Sequence, residues 1–342
     1  MPITLKDIAQ KTGYSVTTIS RALGGYSDVN EQTRQHILHT AEQMGYHPNL
    51  VARTLKSQRA HTIGIVTPAT AASADSDFFS VLLRGVGYVA ARHHYDILLS
   101  GQMDEADEMR VYRHLVGGKR VDGIVVARTI PDDPRIAYLK KSGLPFVVSG
   151  RSDAAQGDDF PYIDADNRLG LAMLVTHFID YGHQHIGLIL PPAKYMFTHQ
   201  REEGYRDALR EHGLNYSPSY VRHASAMDQA GGYEAAGELL AAHPNLTAII
   251  GGTDLIALGV MQALNERGIA VGAGVAVGGF DDIPVAQYAT PPLTTIRQPV
   301  FEIGKMLAGM LIKIINDESP AETQLLIQPE LVVRNSSGEK RK

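Results

Sequence analysis

The stretch GYSVTTISRAL sets Ser15, Thr17, Thr18, Ser20 and Arg21 close together on one short segment. Hydroxyls of this kind donate to phosphate oxygens or to base edges, and a guanidinium pairs bidentately with guanine. Threonine is a middling helix former, so helix propensity does not account for so hydroxyl-rich a face. A solvent-facing helix of a three-helix bundle has the same composition, and the segment alone leaves both readings open. Elsewhere the reactive residue types are poorly placed for chemistry. His177, His183 and His185 have no carboxylate at metal-ligand spacing and read as structural or exposed histidines. Asp281 and Asp282 are adjacent at a strand end and must diverge, whereas glycoside hydrolysis needs carboxylates facing one another across a substrate. VGAGVAVGG (271–279) precedes a strand, so its glycines are misplaced for holding a pyrophosphate at a helix N-terminus. With no cysteine there is no thiolate nucleophile, disulfide or thiolate metal site. The sequence therefore predicts no enzyme, no cofactor and no metal.

The elements around that first stretch are short helices. Thr4 caps the first, with Asp7 three residues on and Leu5, Ile8 and Ala9 as its apolar stripe. Gly13 turns the chain into a second helix capped by Ser15, with Val16, Ile19 and Leu23 directed inward. A third runs from about Asn30 to Met44. Two helices joined by a glycine-bearing turn make a helix-turn-helix, from which Thr17, Thr18 and Arg21 point outward. Next, YHPNLVARTLKSQ (46–58) opens at Pro48-Asn49 on a helix too short to stand alone in water. Its Leu55, beside Arg53 and Lys56, suits a hinge that orders on DNA and wedges between base steps; an ordinary linker carries such a leucine too.

From His61 onward, apolar runs alternate with amphipathic helices. The runs are 62–68, 95–101, 121–127, 144–150, 185–191, 247–252 and 275–281; the helices include 78–93, 168–181, 198–212, 230–242 and 254–267. That alternation means parallel sheets covered on both faces, and its length calls for two lobes meeting near residue 160, with a ligand cleft at the strand carboxyl ends. The expected division is 1–45 as the headpiece and 46–60 as the hinge. The first lobe is 61–160 with 292–320, the second 161–291 with 321–335, and the tail 336–342.

The 342 residues carry a net charge of −5, but residues 1–59 hold seven basic and four acidic side chains, and the rest 25 and 33. Such asymmetry suggests a small module for a polyanion joined to a larger acidic body, although many surface helices are simply lysine-rich. No run reaches the ~18 apolar residues of a membrane span, and the start has no secretory pattern. A cytoplasmic protein is expected.

Taken together, TLKDIAQKTGYSVTTISRAL, YHPNLVARTL, IGIV, DFFSVLLRG, KRVDGIVV, GHQHIGLI, REEGYRDAL, TDLIALGVMQAL, VGGFDD and PPLTTIRQP follow one another in an order that closely resembles the lactose repressor (LacI/GalR) family of bacterial transcription regulators. The resemblance spans nearly the whole chain. It implies an all-α helix-turn-helix headpiece joined to a two-lobed α/β body like that of periplasmic binding proteins. It also implies a homodimer on a pseudo-palindromic operator in double-stranded DNA, without a membrane partner. By the same resemblance Val16, Thr17 and Arg21 fall at base-reading positions, Ser15, Thr18 and Asn30 among phosphate contacts, and Leu55 at the hinge wedge. In the body it places Arg201 and Asp281 on the hydroxyls of a small sugar effector. Phe79 is expected against its apolar face, with Asp254 just inside the cleft and Arg151 as a further contact. Thr253 replaces the asparagine more usual there, and Val300 replaces an aromatic of the repressor that names the family.

These readings favour a ligand-controlled repressor of carbohydrate-utilisation genes. A purine-responsive regulator of the same family is the alternative, though a purine calls for more aromatic stacking. A transport solute-binding protein shares the body but not the headpiece, and a sugar-processing enzyme lacks its nucleophile or acid–base pair.

Overall fold

The chain divides into two units, 1–59 and 60–342. The computed structural model describes residues 3–24, 26, 28–46, 59–67, 76–101, 105–152 and 159–341. Leu55, with Pro48, Asn49, Arg53 and Lys56 of the expected hinge, lies outside the described residues.

In the first unit the Thr4 N–H and hydroxyl both donate to Asp7, at 2.8 and 2.7 Å, and open α1 (Leu5–Thr12). Gly13 closes it at φ 78, a conformation that a residue with a Cβ adopts at a cost. Ser15 caps α2 (Val16–Leu23) by accepting the Thr18 N–H at 3.0 Å. Asn30 caps α3 (Glu31–Gln43) by accepting the Gln32 N–H at 2.9 Å. Ile8, Ile19, Ala22, Val29, Ile37 and Ala41 form the core between them. Val16, expected to point inward, is instead 41% exposed; Ile19 and Ala22 supply the buried stripe of α2.

The second unit holds two six-stranded sheets. The first is parallel, in the order β11-β5-β4-β3-β1-β2, from β1 (Thr62–Val66), β2 (Asp96–Ser100), β3 (Gly123–Ala127), β4 (Phe146–Ser149), β5 (Tyr162–Ala165) and β11 (Gln324–Ile327). Along β3, Ile124 and Val126 pack against α5 (Glu105–Gly117) and α6 (Pro134–Ser142). Val125 packs instead with α4 (Ser76–Arg92) and α11 (Val300–Ile315), so both faces are covered, as a parallel sheet requires. Helices α4 and α11 meet at Gly85 and Gly304, where an added Cβ would overlap the carbonyl oxygens of Phe301 and Leu82.

The second sheet runs β12-β10-β9-β8-β6-β7, from β6 (Ile186–Leu190), β7 (Val221–His223), β8 (Ala248–Gly251), β9 (Ala276–Asp281), β10 (Thr294–Arg297) and β12 (Glu330–Val332). Only β12 among these is antiparallel to its neighbour. Helices α7 (Asn167–Asp180) and α8 (Met196–Glu211) cover one face, and α9 (Gln229–Ala242) and α10 (Asp254–Glu266) the other.

Three strands correct the expected lobe boundaries. β5 and β11 were expected in the second lobe and pair in the first sheet, while β10 was expected in the first lobe and pairs in the second. Each is four residues long, too short for local sequence to choose its sheet; the open edge of a neighbouring strand chooses it. The chain therefore passes between the lobes after β5, β10 and β11. The segment expected as the tail, 336–342, is tied to the second sheet at its start. Ser336 is fully buried, its Oγ donating to the Val277 carbonyl at 2.6 Å and accepting the Thr294 N–H at 2.8 Å. At the other end of the unit, the Asp122 carboxylate accepts the N–H groups of Ala60 and His61 at 2.6 and 2.7 Å. No helix among the described residues is long and apolar enough to cross a membrane.

Candidate functional site

In the headpiece, Ser15, Val16, Thr17 and Arg21 are exposed on α2, and Thr18 is half-buried beside them. Asn30 is exposed at the head of α3. Two of the hydroxyls are engaged within the helix: Ser15 Oγ lies 2.8 Å from Thr18 Oγ1 and caps the helix. Arg21 pairs with Asp28 and lies over the Tyr26 ring, its guanidinium carbon 5.2 Å from the centroid. That ion pair is exposed, and such surface pairs are weak, so exchanging it for another partner costs Arg21 little.

Within the body, the strand ends of the two lobes frame a cleft of about 830 Å³, part of it open to solvent. Arg128 follows β3, Gly150 and Arg151 follow β4, Asp164 is the last residue but one of β5, Thr253 follows β8, and Asp281 closes β9. This is the carboxyl-end placement expected of such sheets. Arg128 and Asp281 hold positive φ angles, 55 and 122, which side chains with a Cβ rarely adopt; strain of this kind gathers at binding sites.

Arg201 projects from α8 and is 3% exposed. Its Nε donates to Asn167 Oδ1 at 2.9 Å, Nη1 donates to the Gly252 carbonyl, and Nη2 lies 3.6 Å from Asp281 Oδ1. The guanidinium stacks on Phe280 at 3.7 Å and faces Phe197 at 4.8 Å. Burial lowers its pKa, against the pull of Asp281 and Asp164. Asp281 in turn accepts from Gln298 Nε2 at 2.6 Å, while Asp282 turns away to Arg297 and Arg334. On the opposite wall Arg151 Nε donates to Asp164 at 3.1 Å. Burial pushes the Asp164 carboxyl up to about 6, against the attraction of Arg151 and Arg201. The lobes also touch directly: the Met196 N–H at the head of α8 donates to the Thr129 carbonyl at 2.9 Å.

The arrangement brings Arg151, Arg201 and Asp281 to one cleft and leaves two expected contacts out of it. Phe78 lines the wall, whereas Phe79 packs half-buried against the first-lobe core. Asp254 is fully buried behind the wall, where Oδ2 accepts the Ile283 N–H at 2.8 Å and Oδ1 accepts the Thr295 hydroxyl. It holds the loop after β9 in place and is absent from the lining. Thr253 lines the cleft and caps α10, accepting the Ile256 N–H at 3.3 Å. Val300 is buried in the first-lobe core. Sequence reasoning missed Arg128, Asp164, Asn167, Gln200 and Gln298. Asp164 sits on a four-residue strand with no apolar run to announce it, and Gln200 stands one place before Arg201 with no signal of its own. His177 and His183 are buried; His183 packs edge-on against Phe178, and burial pushes its ring down to about 4.

Known proteins share this construction. Residues 4–49 match the bacterial regulatory proteins of the lacI family, and residues 175–337 match a periplasmic binding protein-like domain. The HTH-type transcriptional regulator AglR of Rhizobium meliloti (strain 1021) is 36% identical over 342 residues, 99% of this chain and 95% of that protein. A solved complex of the transcriptional regulator CelR with cellobiose superposes with a TM-score of 0.77 at 28% identity, over 98% of this chain and 99% of that one. The Lac repressor dimer bound to operator and the anti-inducer ONPF shares the fold, with a TM-score of 0.86 at 24% identity over 99% and 100% of the two chains.

Proposed function

The chain belongs to the lacI family of bacterial regulatory proteins, whose matched relatives are transcriptional regulators and not enzymes, and we propose that it represses carbohydrate-utilisation genes under the control of a sugar held between its lobes. The observation that carries the sugar is the pairing of Arg201 with Asp281 in the cleft. A buried guanidinium and a half-buried carboxylate supply donors and acceptors side by side, as vicinal hydroxyls require, and Phe78 and Phe197 offer apolar cover for a ring face. The cellobiose bound to CelR supports a ligand of this class. On DNA, Val16, Thr17 and Arg21 read base edges, and Ser15, Thr18 and Asn30 meet phosphates; Leu55 is assigned the hinge wedge. Two copies bind a pseudo-palindromic operator as a cytoplasmic homodimer, which sedimentation of the protein–DNA complex reads directly. Phe78 and Phe197 also suit a purine, so adenosine belongs in the ligand panel beside the sugars.

The test is a paired titration of wild type and Asp281→Ala. Operator affinity without ligand stays near wild type in the variant, while ligand affinity falls by ~2 kcal/mol or more, because a charged acceptor is lost from a buried site. The typical 1–3 kcal/mol coupling between sugar and operator disappears with it. A full response to sugar in Asp281→Ala would remove the cleft from the mechanism.

A further inference from the structure

Gln200 lies on α8 with its side chain 4% exposed, and it lines the cleft beside Phe197 and Arg201. Its amide oxygen accepts no hydrogen bond. A buried carbonyl oxygen without a donor is unfavourable and rare, so the absence needs a cause. Arg201, next along the helix, donates to Asn167 and Gly252 and faces Asp281, and the Thr198 hydroxyl donates to the Pro192 carbonyl at 3.2 Å. Nothing on the helix itself is placed to satisfy the oxygen.

We propose that Gln200 is a specificity-determining residue of the cleft, its amide oxygen accepting a hydrogen bond from one hydroxyl of the bound ligand. The inference rests on the sugar reading and narrows it. An ammonium donor is disfavoured, because Arg128, Arg151 and Arg201 face the same space against only Asp164 and Asp281. A neutral hydroxyl carries no such penalty. Arg201 and Asp281 serve two hydroxyls through charge, and Gln200 selects a third through an uncharged acceptor. The cleft thereby discriminates between sugars that differ in whether a donor stands at that position.

The experiment compares full-length wild type with Gln200→Met, which keeps length and removes the acceptor. Thermal melts are run alone and with glucose, galactose, maltose, cellobiose, melibiose and sucrose, followed by calorimetry on the sugar with the largest shift. Without sugar, Gln200→Met melts about 2 °C higher, because an unsatisfied buried acceptor is gone. With sugar, its affinity is weaker by about 10-fold, the size of one lost hydrogen bond. One monodeoxy derivative of that sugar binds wild type weakly, and binds Gln200→Met as well as the parent sugar does. A variant that melts lower yet binds sugar as tightly as wild type makes Gln200 structural and overturns the proposal. Equal sugar affinity in both proteins overturns it while leaving the sugar reading standing. If no sugar stabilises the wild type, the sugar reading falls and this inference falls with it.

Discussion

Asp254 is a carboxyl that solvent does not reach, pushed up to about 8 by burial and by the charge of Asp281. An exposed or unfolded aspartate titrates near ~4. Between those values the folded chain binds the proton more tightly than the unfolded chain does. This group's contribution to stability is therefore largest below ~4, declines as pH rises, and levels off above about 8. Asp254→Asn cannot lose a proton and has no such slope. Urea denaturation from about pH 5 to about pH 8 should find the variant gaining on wild type by ~2 kcal/mol or more; parallel curves would mean that Asp254 is charged throughout. The residue also marks what sequence could and could not supply. Arg201 and Asp281 were placed by the family resemblance, and both line the cleft. Phe79 was expected where Phe78 stands, since neighbours on a helix point ~100° from each other and the sequence does not say where the opposite lobe lies. Asp254 looked like a ligand contact because a carboxylate at a helix start beside a cleft has the same local sequence whether it faces inward or outward.

At the scale of elements, the long apolar strands and amphipathic helices were legible and fell within a few residues of their expected bounds. The strands β5, β10 and β11 were not, because nothing in their own short runs says which sheet they join. Nor did the sequence single out the close contact of α4 with α11. Glycine inside a helix weakens it by propensity alone, and only packing shows that Gly85 and Gly304 are needed where two backbones meet. Gly85→Ala is favourable for helix propensity by ~1 kcal/mol, yet it drives a methyl group into the Phe301 carbonyl. Overpacking of this kind costs ~1–3 kcal/mol, and the net effect should be a lower melting temperature for the body. A raised melting temperature would show that the two helices separate freely.

For the whole molecule, the charge split and the change from helix-only to alternating pattern announced two units, and the block order announced the family. The lobe boundaries were misplaced because the chain crosses between lobes three times, and no single crossing has a linker-like composition. The tail is likewise part of the second lobe, through Ser336 and its bonds to Val277 and Thr294. One remaining feature bears on how a small ligand is heard at a distance. The two N–H groups that Asp122 grips belong to the first residues of the body, so the chain joins the first lobe at a fixed anchorage. A lever delivers its stroke only if its pivot has no play. On the proposed function, Asp122→Ala leaves the ligand cleft and the headpiece residues untouched but lets residues 60 and 61 slip. Sugar titrations should then match wild type, while the sugar-induced change in operator affinity shrinks severalfold, by ~1 kcal/mol of coupling. An undiminished change, measured by operator titration at saturating sugar, would show that the anchorage carries no stroke. Loss of this carboxylate would produce a regulator that still recognises both its ligands and is nearly deaf to one of them.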